Sequence, residues 1–224
     1  MPDPTLPRRA FAEALGTALL LAAVVGSGIM AEKLAGGNAA VALLANALAT
    51  GGALVALIHT FGPISGAQFN PAVTLALICA GKFPGRDALP YILAQTAGAI
   101  AGVWLAHLMF GLPILQASTH GRTSVGEWVG EITATFGLIG LIFSMLRHNA
   151  TAIPFAVAAY IVGAYWFTSS TSFANPAVTL ARGFSDTFAG ILPVHVPGFV
   201  LAQLLGAGAA VVVFRWLLGP DESA

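Results

Sequence analysis

Charge is what this sequence has least of. Asp, Glu, Lys and Arg make up 8% of its 224 residues, against 57% hydrophobic ones. A soluble chain of this length needs more charge to cover its surface, so a soluble domain is excluded. The charge that exists is balanced, nine basic residues against nine acidic, and leaves no basic face for a nucleic-acid partner. Cysteine is nearly absent: Cys79 stands alone, so neither an internal disulfide nor a cysteine cluster for zinc or iron–sulfur can form. His107, His120, His148 and His195 show no metal-ligand spacing. A phosphate-cradling glycine motif and a nucleophile elbow are also missing, so no cofactor, metal or enzymatic activity is expected.

Long apolar stretches are what the sequence has in quantity. Six are near the roughly 20 residues that cross a bilayer: Phe11–Met30, Ala39–Thr60, Leu89–Met109, Trp128–Leu146, Thr151–Phe167 and Val196–Leu218. The first is followed by further spans rather than by a cleavage site and polar sequence, so it reads as a retained helix and not a signal peptide. An even number of spans puts both termini on one side. Arg8, Arg9, Lys82, Arg86, Arg147 and Arg215 then lie on that side, and Lys33, Arg122 and Arg182 on the other. Six against three favours cytoplasmic termini. The expected fold is an all-α membrane protein forming a single transmembrane domain over residues 1–224.

Two further apolar segments, Pro71–Ala80 and Pro176–Asp186, are too short to cross. A ten-residue helix is ~15 Å long, half the hydrocarbon thickness, and survives at that depth only when buried in protein or lining a wet cavity. Both open on the same letters. Asn70-Pro71-Ala72-Val73-Thr74-Leu75-Ala76 recurs as Asn175-Pro176-Ala177-Val178-Thr179-Leu180-Ala181, seven identical residues 105 positions apart. Glu13-Ala14-Leu15-Gly16-Thr17 and Glu131-Ile132-Thr133-Ala134-Thr135 open the two halves. Residues 8–110 and 126–218 are thus repeats of three spans and one half-helix, and three spans invert the second relative to the first. Inverted repeats place a site at their interface, near the midplane.

Proline suits the first helical position and asparagine the cap before it. The two helix starts therefore meet from opposite faces, with their positive dipole ends and the Asn70 and Asn175 amides at one spot. A neutral hydroxylic solute finds donors there, whereas a cation finds no compensating anion. Glu13 and Glu131 sit inside spans and need partners; their repeated placement suggests acceptors for the loops leading to the half-helices. His59, ending the second span, is placed either in the vestibule on the terminus side or in packing. Two other classes stay open. An ion- or proton-coupled transporter also uses inverted repeats and broken helices, and an inert junction protein would conduct nothing.

The signature Ser65-Gly66-Ala67-Gln68-Phe69-Asn70-Pro71-Ala72-Val73-Thr74, the second Asn175-Pro176-Ala177, and the stretches Tyr91-Ile92-Leu93-Ala94-Gln95 and Ala202-Gln203-Leu204-Leu205-Gly206 in the third and sixth spans resemble the aquaporin and glycerol-facilitator family, the major intrinsic proteins. The resemblance implies six spans plus two re-entrant half-helices, a homotetramer with one pore per subunit, and passive flow. Its members carry an outer filter of four positions. Counting from the two asparagines, these fall here on Thr50, Gly163, Ser172 and Val178. The family's usual aromatic and near-universal arginine are missing from those positions, which implies a wide, weakly polar mouth passing water, glycerol and urea. Arg182, seven residues past Asn175, is read as a packing residue or an i+4 partner of Asp186. Val178 and the run Asp186-Thr187-Phe188-Ala189-Gly190 resemble a bacterial branch associated with arsenic resistance. That extends the expectation to arsenous acid and other metalloid hydroxides, and to a bacterial plasma membrane.

Overall fold

The computed structural model describes residues 4–219. Eight α-helices follow one another: α1 Leu6–Leu34, α2 Ala39–Ser65, α3 Pro71–Cys79, α4 Ala88–Phe110, α5 Val125–His148, α6 Ile153–Phe167, α7 Pro176–Arg182 and α8 Val196–Leu218. Six are long and apolar enough to cross a bilayer, and α3 and α7 are the half-length pieces. The chain is a multi-pass membrane protein.

The ends of these helices follow from local chemistry. Asn38 caps α2 through Ala40 and Val41 N–H. Ser124 and Glu127 form a reciprocal capping box on α5. Gly66 and Gly111, both left-handed, close α2 and α4. The second short helix ends at Arg182 rather than reaching Asp186, because the chain turns back at Gly183.

Packing respects the repeat. In the first half α1 lies against α4 and α2; in the second, α5 lies against α8 and α6. The close crossings use glycine at matching places. A Cβ on Gly98 would stand 2.1 Å from the Ala14 carbonyl oxygen, one on Gly102 2.2 Å from that of Ala18, and one on Gly206 2.4 Å from that of Ile132. Only glycine permits backbones that near. Gly208, by contrast, meets open space. The short helices are exchanged between halves, α3 touching α8 and α7 touching α4, which knits the repeats together. Large apolar side chains such as Phe11, Leu93, Phe155, Leu205 and Trp216 cover the outside, as suits a lipid-facing surface.

Candidate functional site

Asn70 and Asn175 cap α3 and α7. The Asn70 Oδ1 accepts from Ala72 N–H at 2.9 Å, and the Asn175 Oδ1 accepts from Ala177 and Val178 N–H at 3.0 and 3.3 Å. With the oxygens fixed on these donors, the Nδ2 groups must point away from their helices. Each crosses to the other half: Asn70 Nδ2 donates to the Ala174 carbonyl at 2.7 Å and Asn175 Nδ2 to the Phe69 carbonyl at 2.8 Å. An amide carries two N–H bonds, so each asparagine keeps one donor beyond this reciprocal latch. Pro71, Ala72 and Ala177 are buried beside it and Pro176 is half-buried.

The loops before the caps share an unusual backbone. Gly66, Ala67 and Phe69 have φ of 88°, 46° and 50°; Thr171, Ser172 and Ala174, 105 positions on, have 61°, 50° and 47°. Left-handed geometry costs a residue with a side chain roughly 1–2 kcal/mol, so something must hold it. Glu13 accepts from Ser65 Oγ (2.6 Å), Gln68 N–H (3.0 Å), Phe69 N–H (2.6 Å) and Gln95 Nε2 (2.9 Å). Glu131 accepts from Phe173 N–H (2.8 Å), Ala174 N–H (2.8 Å) and Gln203 Nε2 (2.6 Å). Gln95 and Gln203 also donate to Thr74 and Thr179 hydroxyls on the short helices. Both carboxylates are fully buried, and neither lines the central cavity.

That cavity, about 150 Å³, runs between the two latched loops. Most of its wall is apolar, with Leu20, Val24, Leu54, Ile58, Leu138 and Ile142 among the lining residues. Polar groups come from Thr50, Gln68, Asn70, Tyr165, Ser172, Asn175 and Arg182. Among the described residues, no carboxylate lines the cavity. The room suffices for a file of waters, and the loops, the half-helix starts and both asparagines all face it.

The sequence model of the family described as MIP, Major intrinsic protein, matches residues 2–172. The chain belongs to the major intrinsic protein family. Over 215 residues it is 54% identical to "Aquaglyceroporin AqpS" of Rhizobium meliloti strain 1021, covering 96% of this chain and 92% of that one. The "Propanediol uptake facilitator PduF" of Citrobacter freundii is 28% identical, covering 97% and 94%. Among solved structures, the aquaglyceroporin from Plasmodium falciparum superposes with a TM-score of 0.73 at 20% identity, covering 96% of this chain and 98% of that one. This last likeness concerns the fold. The family match stops short of the second Asn-Pro-Ala, so that copy stands on the geometry just described.

Within this family's frame, the structure places three of the four counted filter residues, Thr50, Ser172 and Val178, on the cavity wall. Gly163 is a correction. It lies exposed on the outer side of α6, with a Phe167 ring carbon at 4.0 Å as its nearest neighbour. Val157, Ile161 and Tyr165 share the inward face at four-residue intervals. Two positions from Tyr165 is about 200° around a helix, so Gly163 must face away. Tyr165 takes the inward place, its hydroxyl 3.2 Å from Thr50 Oγ1.

Arg182 packs and holds the loop after it, as one of its two readings has it, and only the pairing with Asp186 needs correcting. It does not pair with Asp186, which is exposed and accepts from Thr119 N–H and Oγ1, both at 2.8 Å. Those bonds hold the Asp186 carboxyl below its ordinary value. Arg182 turns inward onto the cavity wall, one helical turn beyond Val178. Its Cζ sits 3.4 Å above the centroid of Phe173, and its Nε donates to the Ala189 carbonyl. Arg122 also lies over Phe173, at 5.1 Å, and donates to the carbonyls of Gly190 and Ser170. Of the four counted positions only Gly163 is displaced, by Tyr165; Arg182 adds a guanidinium to the cavity wall outside those four.

His59 is likewise off the cavity wall. It is exposed, bonded through Nδ1 to the Val55 carbonyl and set edge-on to Phe155. Cys79 is exposed at the end of α3, outside the lining.

Proposed function

We propose that this protein is a passive pore for water and small uncharged solutes of the glycerol and urea class, with Asn70 and Asn175 as its central constriction. The observation that carries this reading is the reciprocal latch. Two amides from inverted halves are held with one N–H each left for the lumen, beside two helix starts, in a wall without a carboxylate. Water passing there turns its oxygen toward both donors, which opposes proton hopping, and a cation meets positive potential from both sides.

The outer constriction is assigned to Thr50, Tyr165, Ser172 and Val178. A neutral trihydroxy species such as arsenous acid presents the lumen with the same chemistry as a polyol and falls within the proposed range. The coupled-transporter reading loses its support because Glu13 and Glu131 stand outside the cavity wall with their oxygens taken by N–H and O–H donors. A homotetramer with one pore per subunit, cytoplasmic termini and a bacterial plasma membrane complete the proposal. They rest on the family, the apolar outer surface and the distribution of basic residues.

Liposome swelling tests it. Vesicles carrying the protein are expected to swell faster than empty ones in water, glycerol and urea gradients, with no added proton leak. Swelling equal to that of empty vesicles for all three would refute the pore, and solute-driven charge movement would revive the transporter.

A further inference from the structure

A second cavity, of about 320 Å³, shares no lining residue with the central one. It lies on the side of the chain termini, where the turn after α3 meets the last turns of α5 and α8. Buried Phe143 and half-buried Phe214 give it an apolar floor. Exposed Lys82 and Arg215, with half-buried Arg147, give it three positive charges. Among the described residues, no carboxylate lines it. Main-chain carbonyls hold the two arginines: Arg215 Nη1 donates to Cys79 at the end of α3, and Arg147 Nη1 to Gly219 after α8, both at 3.1 Å. Each of these bonds uses one of a guanidinium's five N–H groups. Lys82 and Arg147 have further partners in the protein, so the character of the cleft is an excess of positive charge over an apolar floor. The same end of α8 carries Val212, Trp216 and Leu217 exposed, an apolar track leading away from the cleft.

We propose that this cleft binds the phosphodiester headgroup of an anionic phospholipid, with the phosphate on Lys82, Arg147 and Arg215 and the glycerol against Phe143 and Phe214. The site stands apart from the pore and does not depend on it. Basic pockets between transmembrane helices take such headgroups, and arginine forks match phosphate oxygens two at a time. A free phosphate would use the charges alone, whereas a lipid also uses the apolar floor and lays its chains along α8. Each basic residue near an anionic surface contributes about fivefold in affinity, and three together about a hundredfold. The position of the cleft gives the lipid a role. The turn after α3 belongs to the first repeat and α5 and α8 to the second, so one headgroup bridges the two halves. It does so at the far end of the half-helix that Asn70 caps. A ligand held only by the assembled halves stabilises them by mass action.

Native mass spectrometry of the full chain in detergent, titrated with dioleoylphosphatidylglycerol or dioleoylphosphatidylcholine, measures the binding. The anionic lipid is expected to bind at least about tenfold more tightly than the zwitterionic one; equal affinities overturn the proposal. Lys82→Gln with Arg215→Gln should weaken phosphatidylglycerol binding about 25-fold. Arg8→Gln removes an exposed charge on the same side, outside the cleft, and should change binding less than about twofold. If Arg8→Gln weakens it as much as the double variant does, the attraction is diffuse and the site is refuted. Should the double variant fail to assemble, Lys82→Gln alone is expected to cost about fivefold, and unchanged binding there refutes the site equally. Phosphatidylglycerol should also raise the melting temperature by about 5 °C at saturating lipid, and inorganic phosphate should not; equal stabilisation by phosphate makes the occupant a soluble anion and overturns the lipid assignment. Asp221 and Glu222 follow Gly219 in the sequence, outside the described residues. Binding that emerges only in Asp221→Asn/Glu222→Gln would mean that the chain's own acids fill the cleft, and it too overturns the proposal.

Discussion

Replacing Glu131 by glutamine changes three atoms and tests whether this acid is scaffold or transport group. In the native site the carboxylate accepts three donors, from Phe173 N–H, Ala174 N–H and Gln203 Nε2, all within 2.8 Å. Glutamine offers one acceptor oxygen and one NH₂. At least one backbone N–H is left buried and unpaired, at about 1–3 kcal/mol, and the remaining bonds fall from charge-assisted to neutral, together about 2 kcal/mol. The sum is about 3–5 kcal/mol, and it falls on a loop already holding Thr171, Ser172 and Ala174 at positive φ. At about 2–4 °C per kcal/mol for a chain of this size, the melting temperature should drop by on the order of 10 °C. Fluorescence-detected size exclusion after heating in detergent measures that drop, and stopped-flow light scattering gives the water permeability of what survives. Stability and permeability should fall together. A Glu131→Gln protein that melts like wild type while its flux vanishes would refute the scaffold argument and make the acid a carrier of protons.

Val178→Arg should cut glycerol and urea flux far more than water flux by adding volume and donors at the narrow level, whereas Gly163→Phe, on the outer side of α6, should leave the glycerol-to-water ratio unmoved in liposome swelling. Gly102→Leu forces a side chain into the space where even a Cβ would lie 2.2 Å from the Ala18 carbonyl; loss of the folded protein from detergent extracts is the expected result, and normal yield would contradict the close crossing. Asp186 has a depressed carboxyl because Thr119 donates to its charged form, so its contribution is present above the ordinary carboxylate range near 3.9 and lost as pH falls through the lower folded value. Wild type should therefore lose heat stability below about pH 4, and Asp186→Asn should flatten that acid limb.

The architecture was open to reading because apolar length and a seven-letter repeat survive without knowledge of contacts. The same letters placed both asparagines, and the repeated glutamates announced their role through position alone. The face of α6 was not readable in this way. In water a helix shows which side is buried through its polar side, but α6 exposes Phe155, Trp166 and Phe167 as freely as it buries Ile161 and Tyr165. Counting back from Asn175 assumed a loop length that the chain does not follow, and landed on Gly163. Arg182 did carry a signal: four residues after Val178 on one helix, the two must share a face. An arginine on a half-helix within a membrane has few places to go but a wet cavity.

The crossed amide bonds also set a timetable for making the molecule. Asn70 donates to a carbonyl that lies 104 residues further along the chain. At about 5–20 residues per second, the ribosome needs on the order of 10 s to deliver it. During that interval the Asn70 Nδ2 lacks its Ala174 acceptor and α3 lacks its α8 neighbour. Residues of both halves line the lumen, so it cannot close until the second half has threaded in from the opposite side. The same geometry means that an inverted copy of the first half would satisfy the first half's bonds. Two short chains inserted in opposite orientations could thus have formed such a pore before one chain carried both.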